Sequence, residues 1–401
     1  MVSKVKTAAL ALIVSFIGLS IIISPKDSVE AALNGVKIWG VNVFPSLFPF
    51  FVVSELMIGF GVVSFIGVIL EPLMRPLFRV PGVGGFVFAM GVASGFPAGA
   101  KFTALLRQEK QLTKIEAERL VSFTNSSNPL FMGGAISVGF FHNPALAVLI
   151  MASHYLGNLL VGLTMRFHGR KSENVKLAAS ISSISLKQAF LKMHEKRIDD
   201  KRTFGKILGD AVNSAIQTLF MVGGFIVLFS VLNHMLDFIR VTQTIAIALG
   251  AVLSLVSMPF ELSAPFFSGL LEITNGAQRI SETKDSTLLE QMIAVSFILG
   301  FNGFSIQAQV ASFLADAGIR FWPYFIARLL HGFYAAIFTF LLWKPLNGRY
   351  QYTDLPAAAP QSNRETLFAF FDGFWAIINS FGGLFTLSVL LIFILSKLKK
   401  S

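Results

Sequence analysis

Long apolar stretches separated by short polar joints occupy most of this chain, at about 7–23, 36–60, 62–70, 83–100, 121–141, 144–167, 211–236, 242–258, 262–274, 290–313, 321–342 and 374–395. Crossing a bilayer as a helix takes roughly 20 apolar residues. Some stretches meet that length, whereas others are too short or too interrupted by Gly, Pro and polar residues to be simple spans. The pattern predicts an all-α integral membrane protein, a polytopic helical bundle that contains broken or re-entrant helices. The first stretch follows Lys4 and Lys6, as a signal peptide would. It ends in Ile21-Ile22-Ile23-Ser24-Pro25 rather than at small residues, and so reads as a first membrane span.

The interruptions recur. Ser94-Gly95, Ser122-Phe123 and Asn128 reappear in the second half as Ser268-Gly269, Ser296-Phe297 and Asn302, at one constant offset and without a gap. Laying 94–128 on 268–302 gives nine identities in thirty-five positions, where composition alone would give roughly two or three. Glu116 with Glu290 and Asn128 with Asn302 weigh most, because polar matches are rare in so apolar a chain. The organisation that follows is an N-terminal transmembrane helix (1–30), a first membrane repeat (31–167), a basic linker (168–206), a second repeat (207–343), and a loop with a last span and basic tail (344–401).

Composition supports the class: 54% of residues are hydrophobic, 42 are Phe and only 14% are charged. The net charge of +11 lies mainly in the linker and the two tails, where cytoplasmic segments of membrane proteins carry Lys and Arg, and not in a patch suited to nucleic acid. Both termini and the linker are therefore expected on the cytoplasmic side. Between 101 and 119 bases outnumber acids, whereas from 275 to 292 acids outnumber bases. Opposite bias in matched loops predicts two inverted structural repeats. The absence of Cys removes disulfides and thiolate chemistry, and no metal or cofactor is expected.

The repeated interruptions carry the candidate site. Gly95, Pro97 and Gly99 cannot continue a regular helix, so the break frees backbone amides that attract an anion, with Lys101 positioned to reinforce them. Snorkelling of Lys101 to headgroups is the plainer alternative. Asn125, Ser126, Ser127 and Asn128 precede Pro129 in an apolar stretch and read as an unwound segment lining a polar cavity. Their counterpart supplies Asn302, Ser305, Gln307 and Gln309. Glu55, Glu261 and Glu272 are acids inside apolar stretches, with Glu272 the leading candidate for ion coupling or substrate contact. His154 and His331 lie within long spans as proton relays or hydrogen-bonded structural residues.

The run Gly95-Phe96-Pro97-Ala98-Gly99-Ala100-Lys101, the segment from Glu116 through Ser122-Phe123-Thr124-Asn125-Ser126-Ser127-Asn128-Pro129, and His154-Tyr155-Leu156-Gly157 resemble the sporulation integral membrane protein family called YlbJ, also known as SpoVV. The resemblance spans most of the chain. It implies nucleoside-recognition or gate domains, a fold similar to concentrative nucleoside transporters, and movement of dipicolinic acid from the mother cell across the outer forespore membrane of an endospore-forming bacterium. Dipicolinate is a small planar dianion, so N–H donors, a cation and polar side chains around a midplane site of alternating access would suit it. Two other functions stay open: transport of a nucleoside or other small solute, and a non-transporting structural role in a spore-membrane assembly. No triad, zinc-type cluster or paired nucleophile and base points to an enzyme. The expected partners are the small anion and the lipid bilayer, with homo-oligomerisation open.

Overall fold

The computed structural model describes residues 2–169 and 186–350, and among them every regular element is helical. Helices α1 (Val2–Ile23) and α2 (Pro25–Lys37) lead through a π-helical segment, Ile38–Val43, into α3 (Phe44–Gly59). α3 and α4 (Val62–Phe78) then form a bent pair, turned by 83°. Gly61 makes that turn in the left-handed region at φ 75°, which glycine alone adopts without strain. Among the described residues, four helical stretches are long and apolar enough to cross a membrane: 146–165, 204–238, 288–316 and 321–346. The bent pair supplies a fifth if it acts as one span.

The first half continues as α5 (Val83–Ser94), α6 (Ala98–Gln108), α7 (Lys114–Thr124), a π-helical segment (Phe131–Phe140) and α8 (Leu146–Met165). After α9 (Leu186–Asp199) the order returns as α10 (Phe204–Phe238), α11 (Val241–Ser254), α12 (Ser263–Leu271), α13 (Ile273–Ser281), α14 (Leu288–Phe301), α15 (Gly303–Asp316) and α16 (Phe321–Tyr350). Local chemistry recurs with it. Thr113 and Glu116 form a reciprocal capping box at the start of α7, and Thr287 and Glu290, in the second half, form the same box at α14. Packing between the halves is reciprocal too, with α6 against α15, α13 against Phe131–Phe140, α7 against α16 and α14 against α8.

Some sequence boundaries move. The stretch 83–100 divides at Gly95–Pro97, and 262–274 divides at Glu272. Part of the basic linker is α9, which packs on α4, and the segment expected to be a loop from Pro345 is helical as far as Tyr350. One proline late in a long helix removes one hydrogen bond and leaves the turns beyond it free to form. The last span, at 374–395, lies outside the described residues.

At one end of the bundle Glu118 ties three elements together. Its fully buried carboxylate accepts from Arg320 Nε (2.7 Å) and Nη2 (2.8 Å) and lies 2.7 Å from His168 Nε2. Burial alone would raise this carboxyl, but hydrogen bonds and charge from Arg320 and His168 outweigh it and hold the group below its ordinary 4.5. A lowered folded value means the contribution to stability is complete above about pH 4.5 and disappears as pH falls through the folded value. Thermal unfolding measured across that acid range should show Glu118→Gln with a flatter acid limb than wild type. Parallel curves would refute the assignment.

Candidate functional site

The first interruption is a hairpin tip. α5 ends at Ser94, Gly95 adopts φ 83°, and α6 starts after Pro97, whose peptide bond with Phe96 is cis. The hairpin packs on the second interruption, where α7 unwinds over 125–128 before Pro129. Contact is close because Gly99 has no side chain: a Cβ there would stand 2.1 Å from the Thr124 carbonyl oxygen and 2.7 Å from the Asn125 nitrogen. Asn128 joins the two interruptions by donating through Nδ2 to the Ser94 carbonyl (2.9 Å), while its Oδ1 accepts the Phe131 N–H (2.7 Å) and caps the next helix.

Unwinding leaves backbone groups that a helix would have paired, and buried groups of that kind must find partners. Helices α8 and α16 provide them. His154 Nε2 accepts the Ser127 N–H (3.0 Å), Tyr155 donates to the Ser127 carbonyl (3.0 Å), and Asn158 donates to the Phe123 carbonyl. From α16, Arg328 donates to the Asn125 carbonyl (3.0 Å) and to the Ser122 carbonyl. Asn125 Nδ2 donates to the Tyr324 hydroxyl (2.8 Å). With the Asn302 amide turned so that both its atoms are satisfied, its oxygen accepts from Asn125 Nδ2 (3.1 Å) and Tyr324 (3.0 Å), and its nitrogen donates to the Leu299 carbonyl (2.8 Å). Asn302, at φ 74°, thus closes the break between α14 and α15 against the break in the other repeat.

The hairpin in the second half is built differently. Glu272 stands between α12 and α13 and accepts the N–H groups of Thr274 (3.0 Å) and Asn275 (2.8 Å), so a carboxylate already occupies that helix start. Ser268, the counterpart of Ser94, accepts from Asn233 Nδ2 (2.8 Å).

A cavity of about 750 Å³ lies where these parts meet. Ser94, Gly95, Phe96, Ser127 and Asn128 line it from the first repeat, and Glu272, Thr274, Ser305 and Gln309 from the second. Both π-helical segments contribute, through Ile38, Val41 and Phe131 among others. The size falls in the range of small-molecule sites, and mostly apolar walls with a few convergent polar groups suit an organic solute. Ser94 Oγ, Asn125 Oδ1, Ser126 Oγ, Ser127 Oγ, His154 Nδ1 and Gln307 Oε1 are buried with no protein partner. Such groups cluster where water or a ligand completes the bonding.

Gly95, Ser127, Asn128 and Glu272 are therefore brought to one cavity. Pro97, Gly99, Asn125, Ser126, Asn302 and Gln307 are not among its lining residues and stand behind or beside it. Lys101 is also absent from the lining: its ammonium pairs with Glu55 (2.9 Å), contacts Ser214 (3.2 Å) and sits over the Phe51 ring at 4.9 Å. Glu55 thus has a partner, and Glu261 is exposed on a short 3₁₀ turn. His154 and His331 are both hydrogen-bonded, their rings 4.6 Å apart. The sequence reading passed over Arg328, Tyr324 and Asn158. For Arg328 the signal was available, since an arginine within an apolar span is a functional candidate by default. Among the described residues no cluster of three or more His, Asp or Glu could hold a metal.

Over 398 residues, 98% of this chain and 96% of the relative, the sequence is 52% identical to the sporulation integral membrane protein YlbJ of Bacillus subtilis (strain 168). The chain belongs to the YlbJ family. Within this YlbJ-family chain, residues 40–159 also match the Gate family model, described as nucleoside recognition, and so include the first hairpin tip and the unwound segment. No solved structure matches. The protein is an integral membrane protein of a sporulation family, with a gate domain at the heart of its site.

Proposed function

We propose that the protein is a transporter that carries a small organic anion, dipicolinate, from the mother cell across the outer forespore membrane, by alternating access between two oppositely oriented repeats. The observation that carries this reading is the cavity held between two broken helices and two hairpin tips, one of each from either repeat. Broken helices at equivalent positions around a central site are how transporters expose backbone groups to a solute without exposing them to lipid. Dipicolinate is the substrate that the family resemblance implies. Arg328 supports an anion, because this buried cation stands directly behind the unwound segment and among the described residues pairs with no carboxylate. Glu272 is the charged residue on the lining and is engaged with two backbone N–H groups, which weakens its repulsion.

A nucleoside is the second reading, favoured by the nucleoside-recognition description of the matched family model. Hydroxyls and amides of Ser127, Asn128, Ser305 and Gln309 offer donors and acceptors that ribose would use. The purified full chain in liposomes should take up labelled dipicolinate saturably, with no competition from an excess of nucleosides. Saturable nucleoside uptake instead would establish the second reading. No flux of either from correctly folded protein would favour the structural role.

A further inference from the structure

Arg328 is fully buried in the third turn of α16, and its partners are of an unusual kind for a cation. Its guanidinium donates to the Ser122 carbonyl, to the Asn125 carbonyl at 3.0 Å and to His331 Nδ1 at 3.0 Å, approaches Asn158 Oδ1 at 3.4 Å, and lies 5.5 Å from the Tyr324 ring centre. The two carbonyls are ones that the break leaves without helical partners. Ser122 would have been paired by the N–H of residue 126, which lies in the unwound segment, and Asn125 by that of residue 129, a proline with no N–H. Carbonyls at a helix C-terminus concentrate partial negative charge, and in transporters with broken helices they hold a coupling cation.

We propose that Arg328 is the resident cation of this break: a tethered guanidinium fills the place a dissociable sodium ion would take, so the unwound segment stays assembled with no sodium bound. Three further features fit. At the offset that relates the recurring interruptions, Arg328 is the counterpart of His154, and both bond the same segment. Arg328 donates to the Ser122 and Asn125 carbonyls, while His154 accepts the Ser127 N–H. His331 then orients the guanidinium. Its Nδ1 accepts from Arg328 and its Nε2–H donates to the His154 carbonyl (2.8 Å), an arrangement open only to the neutral ring. Finally, the Lys101 ammonium is paired with Glu55, so that cation is already neutralised.

The consequence for transport, a cycle indifferent to sodium, rests on the transporter reading; the consequence for the site does not. Thermal unfolding of the full chain in nanodiscs separates the two. In sodium, potassium and choline chloride at equal ionic strength, wild type should unfold at the same temperature. Arg328→Ala should lose at least about 5 °C, and guanidinium chloride well below denaturing concentration should return part of that loss where choline does not. Arg328→Lys, which keeps a charge but has fewer donors, should fall between and remain indifferent to sodium. Saturable stabilisation of wild type by sodium over choline would overturn the proposal, as would Arg328→Ala with undiminished stability. Should Arg328→Ala not fold, the wild-type and Arg328→Lys series decide it. Dipicolinate flux in the same salts reads the transport consequence. Failure of all dipicolinate flux with the thermal pattern intact removes the substrate and leaves the resident cation standing.

Discussion

Lys101→Met is expected to destabilise the protein by about 3–5 kcal/mol, because it leaves the Glu55 carboxylate in the interior without its cation. The Lys101 side chain is 8% exposed and that of Glu55 16%, with Ser214 of α10 donating to the same carboxylate oxygen at 2.7 Å. These three residues belong to α6, α3 and α10, so the pair fastens the first hairpin to helices outside the hairpin–break assembly. Adding Glu55→Leu to Lys101→Met should restore most of the stability, since a buried pair replaced by apolar residues of similar volume is often neutral. A double-mutant cycle by thermal unfolding measures the coupling. Lys101→Met as stable as wild type would sink the ion-pair account. The double variant also tests the anion role of Lys101: recovered stability with recovered flux makes it a fastening, whereas recovered stability without flux makes it a ligand.

Gly99→Ala is expected to cost about 1–3 kcal/mol and to lower transport at least about tenfold. The sign is what makes it diagnostic. In an ordinary helix this change is stabilising by roughly 1 kcal/mol, but at Gly99 the added carbon would stand 2.1 Å from the Thr124 oxygen and 2.4 Å from its carbonyl carbon. Backbone at that distance cannot rotate away as a side chain does, so the hairpin must lift from the break. Gly205, near the start of α10, has nothing within 4 Å and provides the control. Gly205→Ala should unfold at or slightly above the wild-type temperature. Gly99→Ala behaving the same way would mean that the hairpin does not rest on the unwound segment.

The interruptions were legible because their residues conflict with helix. Gly95, Pro97 and the run from Asn125 to Pro129 break regular backbone wherever they occur, and the structure breaks at those places. Glu272 was legible as an acid in an apolar stretch, although its use as a helix cap was not, because that depends on where α13 starts. The pairing of Lys101 with Glu55 was not legible in the sequence. A lysine just after Pro97 reads as part of the break, yet one helical turn of α6 carries it toward Glu55, which lies far back along the chain and on another helix.

By itself, then, the sequence determined the membrane class, the helical elements and the positions where helices stop. These depend on local backbone chemistry and on apolar length, which neighbouring residues settle among themselves. Tertiary structure decided which polar groups face the cavity, which cation meets a carboxylate and which meets backbone carbonyls. Arg328 meets the Ser122 and Asn125 carbonyls from the far half of the chain. Such pairings follow from packing α8 and α16 against α7, because buried backbone groups freed by a break take whatever donor or acceptor that packing brings within reach.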